Sequence, residues 1–166
     1  MARNSAFISA PPEAVFDVLA NPRSYGEWVV GSRKIRAADE HWPAPGARFD
    51  HTVGLPLLQI NDQTLVLDAS PPNRLELKAK ARPLPSAHIT IELQPEGNGT
   101  RLTMVENISN SWLNLLAGPV THIGIRLRNH EALRRLRLLA ERGDPTRRSS
   151  IKIREGSRSD APRANA

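Results

Sequence analysis

Two stretches at opposite ends of this chain leave it few ways to fold. Ile8-Ser9-Ala10-Pro11-Pro12-Glu13-Ala14-Val15-Phe16-Asp17-Val18-Leu19-Ala20-Asn21-Pro22 reads as a strand that stops at a proline pair and turns directly into a short helix. Pro11 and Pro12 suit a first helical turn, where a missing amide breaks no bond, and Glu13 sits near the positive helix end. Val15, Phe16 and Leu19 form its apolar stripe, and Asn21-Pro22 ends it. The other stretch, Pro119 to Gly143, reads as one long amphipathic helix. Gly118-Pro119 interrupts a short apolar piece, Trp112 to Ala117, so the continuous helix is expected to begin at Pro119. Val120, Ile123 and Leu127, then Leu133, Leu136 and Ala140, recur at three-to-four spacing and predict a stripe facing the sheet.

Nearly everything between these ends alternates with a period of two. Ile35 and Ala37 alternate with Arg36 and Ala38; Ala47, Phe49, His51 and Val53 with Arg48, Asp50 and Thr52; Leu75, Leu77, Ala79 and Ala81 with Glu76, Lys78, Lys80 and Arg82. One face is apolar and the other charged, as in an antiparallel sheet covered on one side. Gln59 to Ala69 is a further strand, closed by Ser70-Pro71-Pro72-Asn73. Ala87 to Leu93 and Thr100 to Ser109 flank a hairpin signalled by Asn98-Gly99, two residue types that accept positive φ. Gly54-Leu55-Pro56-Leu57-Leu58 reads as a hairpin connection carrying apolar side chains.

The 166 residues, 39% of them hydrophobic, suit one domain with a tail: residues 1–143 as the folded unit and 144–166 as a basic segment with little to bury. Without cysteine there is no disulfide, thiolate catalysis or thiolate metal site, and a reducing cytoplasmic setting is the expectation. The first residues lack the apolar core of a signal peptide, and no run is long and uncharged enough to span a membrane. The net charge of +6 would suggest nucleic acid, but its distribution argues otherwise. Residues 1–111 hold 11 basic and 12 acidic groups, and residues 112–166 hold 12 and 5. Arg126, Arg128, Arg134, Arg135, Arg137 and Arg142 alternate with apolar residues on the long helix, which reads as a solvated face. No aromatic residues are interleaved there to stack bases, so no specific nucleic acid is expected as a partner. Weak contact with anionic surfaces through the tail, and a monomer or homodimer, complete the partner expectations.

Strand, short helices, six strands, one long helix: this order resembles the START-like helix-grip superfamily. The chain adds to it the Ala10-Pro11-Pro12-Glu13-Ala14-Val15-Phe16 segment, Trp28 after Tyr25-Gly26-Glu27, Gly99-Thr100-Arg101-Leu102-Thr103, and the leucine-rich Leu133 to Arg142. Within the superfamily the sequence is similar to the SRPBCC, or polyketide cyclase/dehydrase-like, group over residues 4 to about 142. The resemblance implies an α+β helix-grip fold: a curved antiparallel sheet of about seven strands around a long C-terminal helix, with two short helices after the first strand. It also implies an apolar ligand, since members bind lipids, sterols, polyketides or quinones, and some cyclise or dehydrate polyketides. A fold alone supplies no activity.

Strand parity gives the site its candidates. His51 falls on the apolar face with Ala47, Phe49 and Val53, and Glu106 falls inward with Leu102, Met104 and Ile108. Two proton-exchanging groups facing one cavity are candidate catalytic residues for a cyclase/dehydratase-like reaction. The plainer reading gives His51 a backbone partner and Glu106 an arginine, with neither doing chemistry. The candidate ligand-binding set is Tyr25, Trp28, Phe49, His51, Met104, Glu106, Trp112, Val120, Ile123 and Leu127. His122 and His130 lie on the long helix, His130 at a position in its stripe where leucine would be expected; His88 alternates outward, and His41 belongs to a loop beside Trp42. No metal site is expected, because no ligand-spaced set shares a face, and no cofactor is expected. No Ser-His-Asp order, nucleophile elbow, phosphate loop or dinucleotide fingerprint is present. The sparse polar set favours a non-enzymatic binder of an apolar small molecule. The cyclase-like enzyme, and a protein-interaction role for the arginine-faced helix, are the alternatives.

Overall fold

The computed structural model describes residues 1–55, 58–81, 86–108 and 111–143, with the backbone alone at 33–34, 53–55, 58–60, 81, 108, 111–123 and 125. Seven strands form one antiparallel sheet in the order β1-β7-β6-β5-β4-β3-β2: β1 Ala2–Ile8, β2 Ser32–Ala38, β3 Arg48–Leu55, β4 Leu58–Ser70, β5 Arg74–Ala81, β6 Ala87–Glu96 and β7 Gly99–Ile108. Strands β2 to β7 follow as a meander. The chain crosses from the β1 edge to the β2 edge through α1 (Pro12–Ala20), a 3-10 turn at Pro22–Ser24 and α2 (Tyr25–Trp28). Helix α3 (Ser111–Gly143) returns across the same face, packed on β1, α1 and α2. This is the expected α+β helix-grip architecture.

Local chemistry explains the junctions. Pro12 occupies the first position of α1, and Val15, Phe16 and Leu19 are buried. The helix ends at Asn21, whose side chain accepts from the Arg23 N–H and so starts the 3-10 turn. Thr100 on β7 donates from Oγ1 to the Ala10 carbonyl at 2.7 Å, joining the β1–α1 corner to the sheet. Gly99 beside it is required by close approach: a Cβ there would lie 2.2 Å from the Ile8 carbonyl oxygen.

Three expectations need correction. Helix α3 runs unbroken through Gly118-Pro119 from Ser111. A proline inside a helix removes one hydrogen bond and crowds the preceding turn, and here this does not end the element. The β6–β7 turn is Gly97-Asn98 rather than Asn98-Gly99, because Glu96 pairs with Gly99. Gly97 alone carries the positive φ, 56°, so the turn places its glycine first. The third concerns the phase of α3. Its described core residues are Ala132, Leu133, Leu136 and Ala140. At about 100° per residue, Leu127 points away from Leu136, and it is 65% exposed. His130 is exposed as well, while Asn129 is in phase with Leu136 and is buried. The tail from 144 onward and Pro56-Leu57 lie outside the described residues.

Candidate functional site

The core on the helix-facing side of the sheet is built around a row of rings. Trp28 packs on Tyr25 with centroids 4.8 Å apart, Tyr25 on Phe49 at 4.7 Å, and Phe49 on His51 at 5.0 Å. Trp42, which strand parity did not assign, meets both Tyr25 and Phe49 edge-on. Helix α1 anchors this row through its last turn, whose carbonyls lack helical partners. The Leu19 carbonyl accepts from the Tyr25 hydroxyl at 3.1 Å and from the Trp42 indole N–H at 3.2 Å. Tyr25 therefore sits within the core, and burial pushes its hydroxyl pKa well above the usual phenol range.

His51 is inward, as parity predicts, and only 3% exposed. Its Nε2 lies 3.0 Å from Asp62 Oδ2, and its Nδ1 lies 2.9 Å from Ser32 Oγ. A carboxylate only accepts, so a ring proton on Nε2 points to Asp62, and in that singly protonated tautomer Nδ1 accepts from the Ser32 hydroxyl. The second Asp62 oxygen accepts from the Lys80 amide at 2.9 Å. A buried Ser-His-Asp chain thus exists where no motif announces one. Its members come from β2, β3 and β4, and His51 is the direct cross-strand partner of Asp62. Asp62 was legible in principle, since Asp62, Thr64 and Val66 share the buried parity of β4. Ser32 was not, because β2 is irregular in register beside it.

Glu106 is also inward and 5% exposed, but its surroundings differ. Both carboxylate oxygens accept from the Arg128 guanidinium at 2.8 Å, and one also accepts from Asn129 Nδ2 at 2.8 Å. The carboxylate ties β7 to α3. His51 and Glu106 share no hydrogen-bond partner among the described contacts. Met104 lies beside Glu106 on the buried parity of β7. The side chains of Trp112, Val120, Ile123 and His122 lie outside the described residues, and exposed Leu127 is no part of the core. His88 points outward toward Glu76. Among the described residues no three His, Asp or Glu side chains gather as metal ligands.

A sequence family described as polyketide cyclase / dehydrase and lipid transport matches residues 2–141. The chain belongs to this family. Solved structures with the same fold accompany that match. Protein NE0264 from Nitrosomonas europaea aligns with a TM-score of 0.69 at 21% identity, over 85% of this chain and 94% of that one. Protein CV1439 from Chromobacterium violaceum gives 0.65 at 20% identity, over 83% and 95%. DynU16, a protein in the dynemicin biosynthetic locus, gives 0.62 at 19% identity, over 88% of this chain and 49% of that one. No curated protein matches the sequence significantly. Membership of the cyclase/dehydrase family, with the helix-grip fold, suggests a ligand-binding cavity for a small hydrophobic molecule. No helix among the described residues is long and apolar enough to cross a membrane.

Proposed function

We propose that this member of the family binds an apolar small molecule, a lipid, quinone or polyketide-like compound, between the helix-facing side of the sheet and α3. The observation that carries this reading over catalysis by a His51–Glu106 pair is the engagement of Glu106. Its oxygens are taken by Arg128 and Asn129, so the group serves the sheet–helix contact rather than a substrate. Binding then rests on apolar contact and a small number of polar anchors, which suffices for a small-molecule site. The described Arg134 and Arg135 both pair with Glu131, and Arg137 with Glu141, which supports a solvated helix face over a protein-docking one. Residues 1–143 act as the binding unit in this reading, in a cytoplasmic setting.

Native mass spectrometry of the purified protein tests it. The expected result is a co-purified apolar compound, or its uptake when lipids and quinones are added. A protein that takes up no member of either class across a concentration series overturns the reading.

One observation favours a second reading, proton transfer by His51 on a polyketide-like substrate. Asp62 holds the ring through Nε2, which leaves Nδ1, paired with the Ser32 hydroxyl, as the nitrogen that would take a proton from a substrate displacing that hydroxyl. In that case His51→Ala abolishes turnover while affinity persists. Turnover unchanged by the substitution refutes it.

A further inference from the structure

The Trp28 side chain is 4% exposed, and among the described residues its indole N–H has no hydrogen-bond partner. A buried donor left unpaired forfeits its bond to water without replacement, so folded proteins rarely keep one without a use. The neighbouring rings sharpen the contrast. Tyr25 and Trp42 carry the same kind of donor in the same cluster, and both reach the Leu19 carbonyl. Trp28 packs on Tyr25 with the two rings tilted by 51°, yet its own donor is left over. The only other such atom among the described residues is Asn4 Oδ1, on a side chain whose amide already donates to the Arg126 carbonyl.

Helix α2, which ends in Trp28, packs on both α3 and the edge strand β2, and the Trp28 ring is buried in the core. From Trp28 the ring row runs through Tyr25 and Phe49 to His51, an apolar wall whose polar groups are satisfied by protein. A ligand lying along that wall finds one unsatisfied donor. An indole N–H only donates, so it selects an acceptor oxygen.

We propose that the Trp28 indole N–H is the polar anchor of the ligand site, and that the ligand is an apolar molecule bearing a carbonyl oxygen, as in a ketone, quinone or ester. This rests on the small-molecule reading above and specifies its ligand class. The carbonyl end lies at α2 and the hydrocarbon remainder runs along Phe49 toward the sheet. A donor already desolvated by the protein has no water to lose on binding, so the bond discriminates strongly against the same skeleton without oxygen.

The test compares methyl ketones of increasing chain length with n-alkanes of equal carbon number. The three tryptophans give three indole cross-peaks in a proton–nitrogen correlation spectrum, and Trp28→Phe identifies the one from Trp28. On the unaltered protein, the Trp28 indole proton should move downfield on saturation with a ketone and stay in place with the alkane. Trp28→Phe should weaken ketone binding about tenfold and alkane binding less than twofold. An unmoved indole proton in a ketone-saturated protein overturns the anchor while leaving apolar binding intact. So does an equal loss of ketone and alkane affinity in Trp28→Phe, which would make the ring a packing surface only. Failure of the unaltered protein to bind either series overturns the small-molecule reading, and the anchor with it.

Discussion

The two buried ionisable groups that strand parity places on the helix-facing side, His51 and Glu106, look alike in sequence and differ in what holds them. His51 is satisfied within the sheet, by Ser32 and Asp62 from the strands on either side. Glu106 is satisfied from outside the sheet, by Arg128 and Asn129 of α3. The first arrangement pins strands β2, β3 and β4 together and fixes a ring in one tautomer. The second sets where the helix lies on the sheet. Parity tells which side a group faces, but not whether the sheet or the helix satisfies it.

The largest effect that separates the two lies at Glu106. Arg128 is 47% exposed at its side chain, while Glu106 is buried, so the two deletions are unequal. Arg128→Met leaves a buried carboxylate with only Asn129 as donor. This should cost about 2–3 kcal/mol, below the usual figure for a broken buried pair because Arg128 is partly screened. Glu106→Gln keeps the Asn129 contact and frees an arginine that can turn to water, for about 1 kcal/mol. Chemical denaturation reads both; the reverse order would show that Glu106 is not held as a buried charge.

At the ring the effects are smaller and spectroscopic. Asp62→Asn can still accept from the Lys80 amide, but it also presents an N–H₂ that meets Nε2–H donor to donor. The ring is expected to change tautomer, with Nδ1–H donating to the Ser32 oxygen, at a cost of about 1–2 kcal/mol. Nitrogen chemical shifts of His51 check this directly. An unchanged tautomer in Asp62→Asn would mean that Asp62 does not set the ring. Combining Asp62→Asn with Arg128→Met tests whether the two regions are independent. Strands β4 and β7 are separated by β5 and β6, about 14 Å at usual strand spacing, so the costs should add to within about 0.5 kcal/mol. A larger coupling would mean that helix position and ring orientation report to each other.

The same contrast shows what was legible in the sequence. The strands, the β1-to-α1 corner and the helix-grip order follow from periodicity and from where proline falls, because these are local, repeated signals. The inward placement of His51 and Glu106 follows from parity, since β3 and β7 are regular along the pairs that matter. Their partners do not. Asn129 is a polar residue in phase with a leucine stripe, and hydropathy hides it, just as hydropathy drew Leu127 into a stripe from which the helical angle excludes it. Ser32 sits beside a register shift in an edge strand, where parity loses its meaning. Trp42 lies in an irregular connection with no period to read, and only the tertiary fold brings it to Tyr25 and Phe49. An unpaired indole N–H leaves no trace in sequence at all.

The smallest expected effect comes from setting Glu131 on α3 beside Glu106. Both are carboxylates bound by arginine, but Glu131 meets Arg134 and Arg135 on the solvent side of the helix. Hydrogen bonds from Arg134, then from Arg135, pull its pKa from the ordinary 4.5 down to about 2. A carboxyl held low in the folded state contributes stability that is complete above its ordinary pKa. That contribution fades as pH falls from about 4.5 toward about 2, and pH changes above this window leave it untouched. Water and salt screen such a surface cluster, so Glu131→Gln should leave the denaturation midpoint at neutral pH within experimental error, in contrast to Arg128→Met. Carbon-detected titration of the Glu131 carboxyl reads the pKa itself. A midpoint near 4.5 would mean that the arginines do not hold the carboxylate in solution, and that burial of Glu106, rather than the carboxylate–arginine motif both share, accounts for the strength of its contact with Arg128.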